Sequence, residues 1–243
     1  MKIAVIYYGQ PRFVNNPNCY NSQKDKIFSQ GKVDVYAHLW KAETNNYNSS
    51  SWSGMNECPA SFDDTITFAK KWKPTFIYEE TERLFSNPSL FEKIKEKFPS
   101  PHWTESDFNK ALAHLYSLEK AISIFEESKE SYDWVIVLRT DVCVWDFPLL
   151  STLEKNRFYY SAIFNEEHFA DICYITSPEF ISGLKAYSYL IEPSYEILQK
   201  LTRPCAEQFK KETFIKRHGK VPLRQIPIPV RVVRDNNEIG KKW

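Results

Sequence analysis

Arg139, Thr140 and Asp141 interrupt an apolar stretch, residues 132–145, that reads YDWVIVLRTDVCVW. Val135, Ile136, Val137 and Leu138 form the continuous apolar run of a strand covered on both faces. A cation and a carboxylate are thereby fixed where a buried strand emerges. Ligands of open α/β sheets bind outside the carboxyl ends of the strands. The pair is either a structural ion pair at a strand end or part of a ligand site. A second candidate stands at the N-terminus, where residues 2–8, KIAVIYY, read as a parallel-type strand that runs straight into Gly9, Gln10, Pro11 and Arg12. Gly9 permits close backbone approach, Pro11 stiffens the turn, and Arg12 offers a planar fork of donors. This suggests a nucleotide site, yet neither GxGxxG nor GxxxxGK[ST] is present. Arg12 is equally readable as a surface loop arginine. His38 and Trp40 close an alternating strand, residues 33–40, with no partner for His38 at metal-ligand spacing.

The elements that must position these groups follow from periodicity. Residues 104–127 predict the strongest helix, with Thr104 as cap and Phe108, Leu112, Leu115, Leu118, Ile122 and Phe125 as its apolar stripe. This helix leads into the central strand, a β-α-β pattern that predicts a largely parallel sheet. Shorter helices are expected over 63–72, 89–98 and 205–217, and a longer one from Ser177-Pro178 to about residue 190. Strands are expected over 74–78, 158–163, 170–176, 221–228 and 230–233, the last two broken by prolines as at a sheet edge. Glu79, Glu80 and Glu82 read as a solvated acidic run. Residues 41–64, with Trp52 and Gly54, read as a long loop, and 235–243 as a mobile tail. No repeat or linker is visible, so residues 1–243 are expected to form one domain.

Composition narrows the classes. Lys+Arg 32 against Asp+Glu 31 gives a net charge of +1, which removes the global argument for nucleic acid. Five cysteines without CxxC spacing predict free thiols in a reducing compartment. The apolar segment after Met1-Lys2 spans only about six residues, too short for a signal peptide. No run reaches the roughly 18 apolar residues of a membrane span. A soluble, cytoplasmic protein is expected. Aromatic residues at 16% suit either core packing or stacking on flat or sugar-like ligands.

Several blocks, taken in order, resemble nucleotide-sugar-dependent glycosyltransferases of the GT-A type, in particular small bacterial and viral enzymes of surface-polysaccharide or glycan synthesis. MKIAVIYYGQPR resembles that group's strand–GQxR loop, and VDVYAHLW its DVFxHxW strand. LAHLYSLEKA resembles its helix with a YS pair, and YDWVIVLRTDV its YDxVIRxRxDL strand. FADICYITSPE resembles its DQFxIGSPE block, with Ile172-Cys173 in place of Gln-Phe. AEQFKKETFIKRHG and VPLRQIPIPVRVVR resemble its closing helix and strand. The blocks span about nine-tenths of the chain, and their order is the evidence.

The resemblance implies an α/β fold: a GT-A-like, Rossmann-like domain whose central, mostly parallel sheet is flanked by helices. It implies a hexosyl- or pentosyltransferase that moves a sugar from a nucleotide diphosphate donor to a hydroxyl of a glycan, polysaccharide or glycolipid acceptor. Arg139-Thr140-Asp141 occupies the place of the DxD motif, whose carboxylates hold Mn²⁺ or Mg²⁺ against the diphosphate. Here the first carboxylate is replaced by Arg139. Either Asp141 alone anchors the metal, which is the expectation, or Arg139 itself neutralises the diphosphate. Gly9, Gln10 and Arg12 are implied to form the donor loop, with His38 and Trp40 flanking the base or ribose, and Ser117 and Lys120 reaching the donor. Tyr116 shares that helix and reads better as packing. Asp171 is implied as the general base and Glu207 as a second catalytic carboxylate. Asp171 as an acceptor-orienting group and Glu207 as a helix-start charge are the plainer alternatives. Glu166, Glu167 and His168 fall on an implied acceptor loop. Two other classes stay open: a non-catalytic nucleotide- or sugar-binding protein with a decayed GT-A fold, and a nucleotidyltransferase.

Overall fold

The computed structural model describes residues 1–41, 62–81, 85–99, 104–161, 169–191, 196–219 and 221–233. Trp52, Gly54, Glu82, the segment Glu166-Glu167-His168 and the tail 235–243 lie outside the described residues. A seven-stranded sheet runs in the order β3 (Phe76–Thr81), β2 (Lys32–Lys41), β1 (Lys2–Gly9), β4 (Trp134–Leu138), β7 (Cys173–Thr176), β6 (Phe158–Ser161), β8 (Leu223–Ile226). All neighbours pair in parallel except β7, which is antiparallel to both β4 and β6. The α/β class with a mostly parallel central sheet is therefore as expected.

The continuous apolar runs of β1 and β4 are explained by cover on both faces. Ile3, Val5 and Tyr7 join Val35, Ala37, Leu39, Ile136 and Leu138 on one face. There they meet Phe68 and Trp72 of α2 (Phe62–Trp72). Ala4, Ile6 and Tyr8, with Val135 and Val137, point the other way onto Leu118, Ala121, Ile122 and Phe125. Those four belong to α4 (Glu105–Glu127), whose Thr104 and Asp107 form a capping box. The first half of α4 packs Phe108, Leu112 and Leu115 against Leu90, Phe91 and Ile94 of α3 (Pro88–Lys97).

Several elements differ from expectation. The stretch 132–145 is not one strand: β4 stops at Leu138, the chain turns through 139–141, and β5 (Val142–Val144) pairs antiparallel with β9 (Val230–Val232) in a separate two-stranded sheet. Helix α1 (Pro17–Lys26) was not expected, because it buries only Cys19 and Gln23 and so has no apolar stripe. It starts instead on local chemistry: Asn16 caps it through the Asn18 amide, and Pro17 takes the first helical position. The helix expected from Ser177 is a 3₁₀ segment, Pro178–Leu184, followed by the short α5 (Tyr187–Ile191). There the backbone of Gly183 lies against Phe214 and His218, where a Cβ would collide. Another short helix, α6 (Glu196–Lys200), precedes α7 (Ala206–His218). The strand expected over 170–176 begins only at Cys173, which leaves Asp171 in the turn before it. Cys19, Cys143, Cys173 and Cys205 are free thiols. Among the described residues, no helix is long and apolar enough to cross a membrane.

Gln23 is the polar hub that ties α1 to the sheet edge. Its amide donates to the carbonyls of Val142 at 2.8 Å and Arg139 at 3.2 Å. Its carbonyl accepts from Tyr7 Oη at 2.7 Å and Trp72 Nε1 at 3.1 Å. The side chain is fully buried. Each partner orphaned in such a site costs about 1–3 kcal/mol, so Gln23→Leu is expected to lose at least about 3 kcal/mol in urea unfolding. A loss below about 1 kcal/mol would show that the hub adds nothing beyond packing.

Candidate functional site

The parallel strands β1, β2, β3 and β4 end at one edge of the sheet, and the reversed strand β7 starts there. Gly9, His38, Glu80, Arg139 and Asp171 therefore converge from five segments distant in sequence. The turn after β4 supplies the centre. Arg139 spreads its guanidinium side-on over Asp141, with Nε to Oδ1 at 2.9 Å and Nη2 to Oδ2 at 2.7 Å. Its Nη1 donates to Asp171 Oδ2 at 3.1 Å. Asp141 is 2% exposed. Burial opposes the charge on Arg139, but Asp141 and Asp171 outweigh it and hold the guanidinium above its ordinary pKa. Burial alone would raise the Asp171 carboxyl; Arg139, then Lys210 and His114, pull it well below the usual range.

Behind Asp171 lies a cluster that motif spacing did not reveal. Lys210 of α7 is fully buried, and its Nζ lies 3.3 Å from His114 Nε2 on α4. Tyr8 Oη lies 3.2 Å from the same nitrogen and 3.4 Å from the main-chain oxygen of Asp171. Burial first, then the charge of Lys210, lowers the His114 pKa to about 3, so the ring is neutral at pH 7 and can accept at Nε2. Burial also lowers Lys210, opposed by Asp171 and Glu207. Glu207, at the start of α7, thus belongs to the same electrostatic neighbourhood. Tyr8 directly precedes Gly9, and Lys210 follows Glu207 by three positions on one helix face. Those adjacencies are the only signals the sequence held for them.

The loop after β1 is fastened to this centre. Gly9 adopts φ 88°, a conformation that favours glycine, and among the described residues, its chain neighbours aside, no atom lies within 4 Å of where a Cβ would stand. Its amide donates to Ser117 Oγ at 2.8 Å, and Ser117 Oγ lies 2.7 Å from His38 Nδ1. Arg12 Nε donates to Gln10 Oε1 at 2.6 Å, and Thr140 Oγ1 donates to the Arg12 carbonyl at 3.1 Å. Thr140 thereby links the turn after β4 to the loop after β1. His38 is fully buried and its Nε2 lies 3.2 Å from Glu80 Oε2, which also accepts from Tyr116 Oη at 3.0 Å. Glu80 is thus part of β3 and of this network, not of a solvated acidic run. Trp40 stacks on Tyr116 at 5.7 Å between centroids within the aromatic core. Lys120 is exposed and sits over the Tyr116 ring at 5.4 Å. The structure thus joins Arg139, Asp141 and Asp171 directly, places Glu207 within electrostatic reach of the Lys210 behind them, and gathers Gly9, Ser117 and His38 in an adjoining chain. Trp40 and Lys120 stand apart from the centre.

The solved structures similar to this chain include two glycosyltransferases. One solved structure is a glycosyltransferase involved in the glycosylation of the major capsid of PBCV-1, with 12% identity, TM-score 0.42, and coverage of 93% of this chain and 82% of that one. Another is the galactosyltransferase LgtC in complex with donor and acceptor sugar analogs, with 14% identity, TM-score 0.40, and coverage of 88% and 70%. Both proteins are glycosyltransferases; likeness at this level reaches neither activity nor site residues. No family model and no curated protein matches the chain.

The cluster makes stability depend on pH in a stated direction. The unfolded His114 titrates near its ordinary value of about 6.5, and the folded one only at about 3. Between these values the unfolded chain binds more protons, so stability falls as the solution is acidified. The depressed Asp171 acts in the same sense at lower pH, below its unfolded value of about 3.9. Urea midpoints at pH 4.5 and 7 should fall on acidification, and the fall should be smaller in His114→Gln. An equal fall in the two proteins would remove His114 as its source.

Proposed function

We propose that the chain is a GT-A-like glycosyltransferase that moves one sugar, a hexose or a pentose, from a nucleotide diphosphate donor to a hydroxyl of a glycan, polysaccharide or glycolipid acceptor. The observation that carries this reading is the meeting, at the carboxyl edge of a mostly parallel sheet, of the Gly9 loop, the Arg139 fork and Asp171. These are the positions at which the sequence resemblance places donor binding and base catalysis. In this reading the open space over Gly9 admits the nucleotide, with Gln10 and Arg12 beside it, and Ser117 and His38 fix the loop that receives it. Trp40 and Lys120 form the more distant wall. Free thiols suit a reducing, cytoplasmic setting.

The resemblance also implies Mn²⁺ or Mg²⁺ at Asp141, and the residues present do not fit one. Both oxygens of Asp141 already accept from Arg139. Among the described residues no three His, Cys, Asp or Glu side chains gather as a metal group. The chain's own side chains therefore carry the chemistry. Departure of a nucleoside diphosphate develops negative charge, which a preorganised cation stabilises. Arg139 is that cation. The acceptor hydroxyl must lose a proton as it attacks the anomeric carbon, and Asp171 takes it. While Arg139 holds Asp171, that carboxylate is a weak base. A shift of the guanidinium toward the leaving diphosphate frees Asp171 and raises its proton affinity as the proton must be removed. Glu207 supports the charge on Lys210 behind it.

The test is turnover of a panel of nucleotide sugars, read as release of nucleoside diphosphate. Release from one donor is expected, and Asp171→Asn should slow it by about 10²-fold or more. Release of pyrophosphate would assign nucleotidyl transfer instead. Tight donor binding without any release would assign a binding protein, a reading that the replacement of the first DxD carboxylate by Arg139 favours.

A further inference from the structure

We propose that the donor's diphosphate is held without a divalent ion, by the Arg139 guanidinium, and that Asp141 is the buried counter-ion of that arginine. This rests on the transferase reading above and adds how its donor site is charged. Arg139 carries five N–H donors. Three make the bonds to Asp141 and Asp171, and among the described residues no partner takes the other two. The Arg139 side chain is 21% exposed and that of Asp141 is 4% exposed, so a ligand arriving at this edge meets the guanidinium first.

The pairing also disfavours a metal on charge grounds. To ligate one, Asp141 would have to give up a two-point contact with Arg139, leaving a guanidinium and a divalent cation side by side in one small space. Lys210, a fully buried amine, lies within electrostatic reach of Asp171 and Arg139. Arg139 takes both oxygens of Asp141 and one of Asp171, and Glu207 acts on Lys210 from the start of α7. A divalent ion is held by carboxylate oxygens turned toward it, and both oxygens of Asp141 are already taken by Arg139. A guanidinium with two uncommitted donors matches a diphosphate in both charge and geometry.

The experiment is calorimetric titration of uridine, guanosine, adenosine, cytidine and thymidine diphosphates, first with EDTA and then with Mn²⁺. One nucleotide is expected to bind, with the two affinities agreeing within about threefold. Arg139→Gln should weaken that binding by at least about tenfold, with Arg139→Lys between it and the native protein. Arg139→Gln strands two carboxylates and can unfold the chain, so Arg139→Gln/Asp141→Asn removes the buried pair together. It should lose binding in the same way while giving a native-like unfolding transition. Binding that requires Mn²⁺, or equal binding by the folded arginine variants, overturns this proposal and leaves the transferase reading intact. No binding of any nucleotide in either buffer overturns both.

Discussion

A half-buried guanidinium paired with a carboxylate taken almost wholly out of water sets the terms for this end of the molecule. An ion buried alone is strongly disfavoured, and a buried pair is tolerated only when its geometry is good and its remaining hydrogen-bonding positions are filled. Arg139 and Asp141 have that geometry in a side-on fork that fills both Asp141 oxygens, Asp171 takes a third N–H, and the part of the guanidinium facing water keeps the rest. The sheet edge cannot rearrange without breaking this set. The turn after β4 and the turn before β7 are therefore fixed relative to each other by charge as well as by backbone pairing.

The neighbouring elements supply the support that such a pair needs. Gln23 holds the main chain on both sides of the turn through the Arg139 and Val142 carbonyls. Thr140, between the two charged residues, reaches across to the loop after β1. Ser117 fixes that loop from the opposite face of the sheet. Three polar side chains from α1, the turn and α4 thus hold two short stretches of backbone, the turn after β4 and the loop after β1. Positioning from several rigid elements is what a site must have to keep its reactive groups within a fraction of an ångström.

Much of this was legible in the residues. The unbroken apolar runs of β1 and β4 report cover on both faces, and the stripe and capping box of α4 define a helix without tertiary information. Arg139 and Asp141 drew attention because charge interrupts a buried run. Other features left no such mark. The strand direction of β7 is not written in CYIT, since a buried apolar run reads the same in either orientation. Helix α1 is polar and becomes a helix on its capping residues and on the burial of Gln23. Lys210 and His114 are 96 positions apart, and no periodicity links a lysine on one helix to a histidine on another. Glu80 followed the rule that acidic runs face water until pairing with His38 and Tyr116 gave it a place in β3.

The reversal of β7 has a bearing on how such a chain can diversify. Because β6 runs with the parallel set and β7 against it, the chain leaves the sheet at Ser161 and returns at Cys173 on the same edge, beside Asp171. Insertions or deletions between these two points alter the surroundings of Asp171 while every strand keeps its neighbour and its register. The loop after β1 and the turn after β4 are anchored through other contacts and do not share that freedom. The fold thereby separates a tethered half of this edge from a half whose length is free to change.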